Sequence, residues 1–196
     1  VKAARDFFAQ WQYALSSDET SRSTFAAELG FCAIHTWQLH SMSSPWGESI
    51  GLKPLAEQVS RMLAEGGCGE DAASIVKNML RSPETCRVCR MVRESEADCI
   101  RQLADFLVNA NARRIYERSQ GVCLRHLAHL LAIVSAEIEQ FLLAAASRRF
   151  RKIAKQMESY ATKRQATRRD LIKADEADAY MRALVHLASA PDYHAS

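Results

Sequence analysis

Apolar positions recur every three or four residues along most of this chain, the period of an amphipathic helix. Phe7, Phe8, Trp11, Ala14 and Leu15 predict a first helix that stops in the polar stretch Ser16-Ser17-Asp18. A short helix then runs to Leu29, with Gly30 just past its C-cap. A third begins near Cys32 and carries Ile34 and Leu39 up to the breaker Ser43-Ser44-Pro45-Trp46-Gly47. Leu52, Leu55, Val59, Met62 and Leu63 define a fourth, closed by Gly66-Gly67, and residues 70–80 a fifth. Ser82-Pro83-Glu84 opens a sixth with Val88, Val92, Ile100, Leu103 and Leu107 inward, and a short seventh ends at Gly121. From Val122, the spacing Leu124, Leu127, Leu131, Val134, Ile138, Phe141, resumed at Phe150, Ile153, Met157 and Tyr160, predicts one helix of about 40 residues. A last helix, residues 169–189, would turn Leu171, Ile172, Tyr180, Leu184 and Leu187 inward.

The expected fold is therefore all-α, a multi-helix bundle of two related helical units with a long C-terminal helix pair. Helices this long pack against others in the same bundle or in a partner chain, which leaves a homodimer open. The relation between the units lies in a spacing. Gly30-Phe31-Cys32-Ala33-Ile34-His35, with Leu39 after it, matches Gly121-Val122-Cys123-Leu124-Arg125-His126, with Leu130 after it, at an offset of 91. Both read GxCxxHxxxL, and Phe25 and Leu15 fall opposite Tyr116 and Phe106, so an internal duplication is the simplest account. Three segments follow: 1–80 as a first unit, 81–147 as a second, and 148–196 as a basic extension. In the second unit Cys86-Arg87-Val88-Cys89 opens the long helix, and projecting it back by 91 lands just before Val1. A further CxxC is expected there.

Composition sharpens this picture mainly by exclusion. Glycine and proline, 7 and 4 of 196 residues, are too few for a barrel or sandwich rich in tight turns. The longest apolar run, Phe141 to Ala146, is far short of the ~20 residues that span a bilayer, so no membrane segment is expected. No export leader is read at the start of the chain, which makes cytoplasmic location and reduced cysteines the expectation. A chain of this size can form a core without metal or disulfides, which makes the 6 cysteines and 6 histidines more informative.

Cys86-x2-Cys89, then 33 residues, then Cys123-x2-His126 supplies three thiolates and an imidazole as two close pairs. Tetrahedral Zn(II) favours that set, and both pairs sit at predicted helix starts, where free N–H groups and the helix dipole favour thiolate. Four protein ligands close the shell, which points to a structural metal rather than hydrolysis. An iron–sulfur cluster could use the same ligands, a redox-active CxxC could need no metal, and buried core cysteines could need no chemistry. Cys32 and His35 form half of a second such site. Cys68 lies in a turn between glycines, and Cys99, about 15 Å along the helix from Cys89, is expected in the core. His129 could sit behind His126, while His40, His186 and His194 form no constellation. No GxSxG, P-loop, HExxH or dinucleotide glycine pattern occurs, and Glu94, Glu96, Glu137 and Glu139 have the spacing of solvated helix faces, so little supports an enzyme.

Charge is uneven. Residues 148–173 hold ten Lys or Arg against Glu158 and Asp170, a formal +8, in a chain of +3 overall. That stretch, from Arg148 to Lys173, could meet nucleic acid or another polyanion, or be a solvated helix face. The CxxC and GxCxxH arrangement, above all Gly30-Phe31-Cys32-Ala33-Ile34-His35-Thr36-Trp37-Gln38-Leu39, resembles an uncharacterised bacterial all-helical family with CxxC opening one helix and GFCxxHxxxL another. The resemblance implies metal binding and brings no activity with it. Two functions follow: a zinc-binding helical interaction or regulatory module, or a thiol redox protein or zinc-thiolate redox sensor using the CxxC pair.

Overall fold

Every regular element among the described residues is a helix. The structure, a computed structural model, describes residues 2–65, 72–165 and 168–189. Its helices are α1 (Lys2–Ser17), α2 (Glu19–Ala27), α3 (Ala33–His40), α4 (Pro45–Glu65), α5 (Ala72–Met79), α6 (Arg87–Leu107), α7 (Ala110–Arg118), α8 (Leu124–Leu131), α9 (Ala136–Gln165), α10 (Ala174–Ala177) and α11 (Ala179–Ala188), with a 3-10 turn at Arg169–Leu171. None is long and apolar enough to cross a membrane. The chain divides into two compact units, the first through Glu96 and the second from Ala97, so it passes from one to the other within α6.

In the first unit, α1, α2 and α4 pack around aromatic rings. Phe25 and Phe31 meet edge to face with centroids 4.9 Å apart, and Phe8 lies 5.9 Å from Phe31. α4 comes close to α1 because Gly51 faces it: a Cβ there would lie 3.0 Å from Leu15 Cβ. Asp18 starts α2 by accepting the N–H groups of Thr20 and Ser21, at 3.2 and 2.8 Å. The helix ends in a Schellman pair, Gly30 N–H to Phe25 O at 2.9 Å and Leu29 N–H to Ala26 O at 3.0 Å. Leu29 and Gly30 both take the left-handed conformation, φ 56° and 73°, and this reversal sets the direction in which α3 leaves.

The second unit buries Leu107, Leu130 and Leu142 completely, with Ile100, Tyr116, Leu127 and Ile138 around them. The predicted 40-residue helix is broken. α8 ends at Leu131 and α9 begins at Ala136, with Ser135 O accepting from Glu139 N–H at 2.9 Å. Apolar period survives the turn because Val134 stays packed on the core, and the signal for the break is Ser135 followed by Glu137 and Glu139 in the first turn of α9. The predicted last helix is likewise divided into the 3-10 turn, α10 and α11. There Ala179 and His186 are buried, whereas Leu171, Tyr180, Leu184 and Leu187, expected inward, are each more than half exposed. α10 and α11 fold back on α9, tied by Glu176, which accepts from Lys163 Nζ at 2.7 Å, Ser159 Oγ at 2.9 Å and Lys173 N–H at 3.0 Å.

Candidate metal centre

Two helix starts build the centre, and they do so in the same way. Cys32 is the N-cap of α3 (φ −63°, ψ 162°), and His35 is the third helical residue. Arg90 N–H donates to Cys86 O at 3.0 Å, so Cys86 caps α6 and Cys89 is its third helical residue. Cap and third residue project from the same side of a first turn, so each pair is a two-pronged clamp. The two clamps are drawn together by the end of α2. Arg87 pairs with the Glu28 carboxylate and lies 5.1 Å over the Trp11 ring, while Arg81 donates to the Glu28 carbonyl.

Cys32, His35, Cys86 and Cys89 are all buried, and their ligand atoms lie within 4.8 Å of one another. His35 Nδ1 is 3.2 Å from Cys32 Sγ, 3.2 Å from Cys89 Sγ and 3.6 Å from Cys86 Sγ, and Cys32 Sγ is 3.7 Å from Cys89 Sγ. A tetrahedral zinc with Zn–S of about 2.3 Å and Zn–N of about 2.0 Å has S···S edges of about 3.8 Å and S···N edges of about 3.5 Å. The three S···N edges and the Cys32–Cys89 edge match that tetrahedron to within a few tenths of an ångström, and the two edges from Cys86 Sγ to the other sulfurs lie within 4.8 Å. Hydrogen bonding alone accounts for them poorly, because one ring nitrogen has either one lone pair or one proton to offer three sulfurs. The group can hold a metal ion. With three sulfurs and one nitrogen, its donor set suits a borderline-soft cation rather than calcium or magnesium.

The thiols are tuned apart. Burial pushes Cys86 up, but the hydrogen bond with His35 and the backbone of Cys32, Cys89 and Val88 outweigh it and bring the thiol down to about 6. Burial and then the charge on Cys86 push Cys89 up to about 12, and burial raises Cys32. One thiolate is thus preformed near neutrality, and a cation is what makes the other two favourable.

The structure re-pairs the CxxC motif. Cys86 and Cys89 meet Cys32 and His35, which the sequence leaves as half a site. Cys123 and His126 lie in the second unit, where Cys123, the N-cap of α8, has its sulfur 3.1 Å from His126 Nδ1 and 3.1 Å from Ser189 Oγ. Cys99 is exposed rather than in the core, because the neighbouring Ile100 takes the inward position on α6. His40 binds the Glu48 carboxylate at 3.0 Å, and His186 places Nδ1 3.3 Å from Val122 O. Cys68 and His194 fall outside the described residues. The sequence did contain the signal for the observed pairing, since CxxC follows one GxCxxH and precedes another. Comparison with protein-family models, with curated proteins and with solved structures gave no match.

Proposed function

We propose that Cys32, His35, Cys86 and Cys89 hold a structural Zn(II), and that the helical protein so stabilised serves as an interaction or regulatory module. The observation that carries the zinc reading is the buried gathering of three sulfurs and one nitrogen, with the three S···N edges and the Cys32–Cys89 edge close to those of a zinc tetrahedron. All four positions are taken by protein ligands, so none is left for substrate or water. Support for an interaction role comes from α3 itself. Trp37 and His40, on the same short helix as His35, border a cavity of 470 Å³ together with Tyr13, Trp46 and Glu48. Trp37, Trp46 and Tyr13 are each about 70% exposed there, an uncommon display of aromatic surface.

Metal content and free-thiol count of protein purified without chelator test the reading. About one zinc per chain is expected, lost in Cys32→Ser, His35→Ala and Cys86→Ser but retained in Cys123→Ser and His126→Ala. Metal-free protein with an intact, reversible disulfide among Cys32, Cys86 and Cys89 would overturn it. That result belongs to the second reading, a thiol redox protein, which the 3.7 Å approach of the Cys32 and Cys89 sulfurs favours. Disulfide formation there would pass two electrons and two protons to an external oxidant.

We also infer that the two units descend from one duplicated unit. The reading is supported by helix starts at equal separations: α2 and α7, α3 and α8, and α4 and α9 each begin 91 residues apart. N-caps Asp18 and Asn109 and the left-handed Gly30 and Gly121, φ 73° and 74°, fall at the same offset.

A further inference from the structure

The second unit gathers positive charge around a cavity of 550 Å³. Arg118 comes from the last residue of α7, Arg148, Arg149 and Lys152 from one stretch of α9, and Arg182 from α11; Glu117 is the single carboxylate among the lining residues. Five like charges around one concavity repel one another, and low-dielectric walls strengthen that repulsion, so the arrangement favours an anion within it.

Two of the cations are held in place, Arg149 by neutral groups alone. Arg149 lies 5.5 Å over the Tyr116 ring and donates to the carbonyls of Tyr116 and Ser119, at 3.5 and 3.3 Å. Gly121 makes room for it, because a Cβ there would run into the guanidinium. Arg182 donates to Gln156 Oε1 at 3.1 Å and to the Asp175 carbonyl and pairs with Asp178, yet its buried Nε has no acceptor among the described residues. Arg148 pairs with Glu117, whereas Arg118 and Lys152 have no ion-pair partner among the described residues. The wall is therefore preformed and only partly neutralised. Ala145 and Ile153 give the cavity apolar surface, and its volume is in the range of small-molecule sites.

We infer that this cavity binds an organic polyphosphate, its phosphate oxygens held by Arg118, Arg148, Arg149, Lys152 and Arg182 and its organic part resting on Ala145 and Ile153. Guanidinium forks suit phosphate because they offer paired N–H donors to paired oxygens. The inference goes beyond the metal centre and does not depend on it.

Calorimetric titration of the full chain with adenosine, AMP, ADP and ATP at low salt tests it, with single-stranded oligothymidylate in parallel. One ATP per chain is expected, weakening in the order ATP, ADP, AMP, with no binding of adenosine. Lys152→Glu and Arg118→Glu, both at exposed and unpaired positions, should each weaken ATP by about tenfold or more while the free protein still melts in one cooperative transition. Equal binding of adenosine and ATP, no saturable binding of ATP, or unchanged ATP binding by both variants would overturn the inference. Oligothymidylate that binds more tightly than ATP at equal phosphate concentration, and loses that binding in Lys152→Glu, would overturn it in favour of a nucleic-acid tract.

Discussion

His35 presents a single nitrogen to three sulfurs, and that crowding makes the centre sensitive to protons as well as to metal. A zinc ion bound there would have to displace the protons of Cys32 and Cys89, whose thiols are raised, so its affinity should fall as pH falls through the neutral range. Below about 6 the Cys86 thiolate protonates too, and the fall should steepen. Competition titrations with a chromophoric chelator between pH 5.5 and 8 measure the slope, and affinity independent of pH would exclude thiolate ligation. A second residue-scale test concerns Gly51, where any side chain meets Leu15. Gly51→Leu should cost roughly 1–3 kcal/mol by overpacking, read from a denaturant melt. Sequence singled out all four residues that the structure gathers but not this grouping, for a reason of phase. Cys86-x2-Cys89 has a GxCxxH on either side of it in the sequence, and spacing alone favours the nearer one, 33 residues on. The structure takes the farther one, because the first turn of α6 is tied to the end of α2 by Arg81 and Arg87.

Helix termini, more than helix interiors, decide what this chain does. Both clamps of the metal centre are cap-and-third-residue pairs, so metal removal should loosen the first turns of α3 and α6 before anything else. Hydrogen exchange with and without chelator should show faster exchange at residues 36–39 and 90–93, whose N–H groups donate to the carbonyls of those first turns, and little change in α8; uniform change would argue against a local centre. At the other end of the chain, Glu176 fastens α10 to α9. The hydrogen bond from Lys163 comes first, then the Lys173 N–H, and together they bring its carboxyl down to about 2. A depressed carboxyl stabilises the fold fully above its unfolded value of about 4.3 and stops doing so as pH falls through about 2. Glu176→Gln should therefore melt earlier than the parent at pH 7, with the gap closing toward pH 2. Helix interiors were legible from apolar period, which correctly located most elements. The breaks were not, because Val134 keeps the period of α8 and α9 in phase across a turn, and because α11 leaves Leu184 and Leu187 exposed.

At the scale of the molecule, all-α architecture followed from the scarcity of glycine and proline and the continuous three-four spacing. What spacing could not locate was the crossing from one compact unit to the next, which falls in the middle of an uninterrupted helix, where no loop composition marks it. The basic stretch was legible as charge but not as a cavity, since Arg118 and Arg182 come from α7 and α11 and join Arg148, Arg149 and Lys152 only through the fold. A metal at the centre would have a topological effect as well. It would join Cys32 to Cys86 across 53 intervening residues that contain all of α4 and α5. A covalent cross-link of that span removes unfolded-state entropy worth roughly 4 kcal/mol, and a bound metal imposes the same closure without a permanent bond. The first unit would then carry a removable staple, and once free metal is well above its dissociation constant each further tenfold rise would add about 1.4 kcal/mol to its stability.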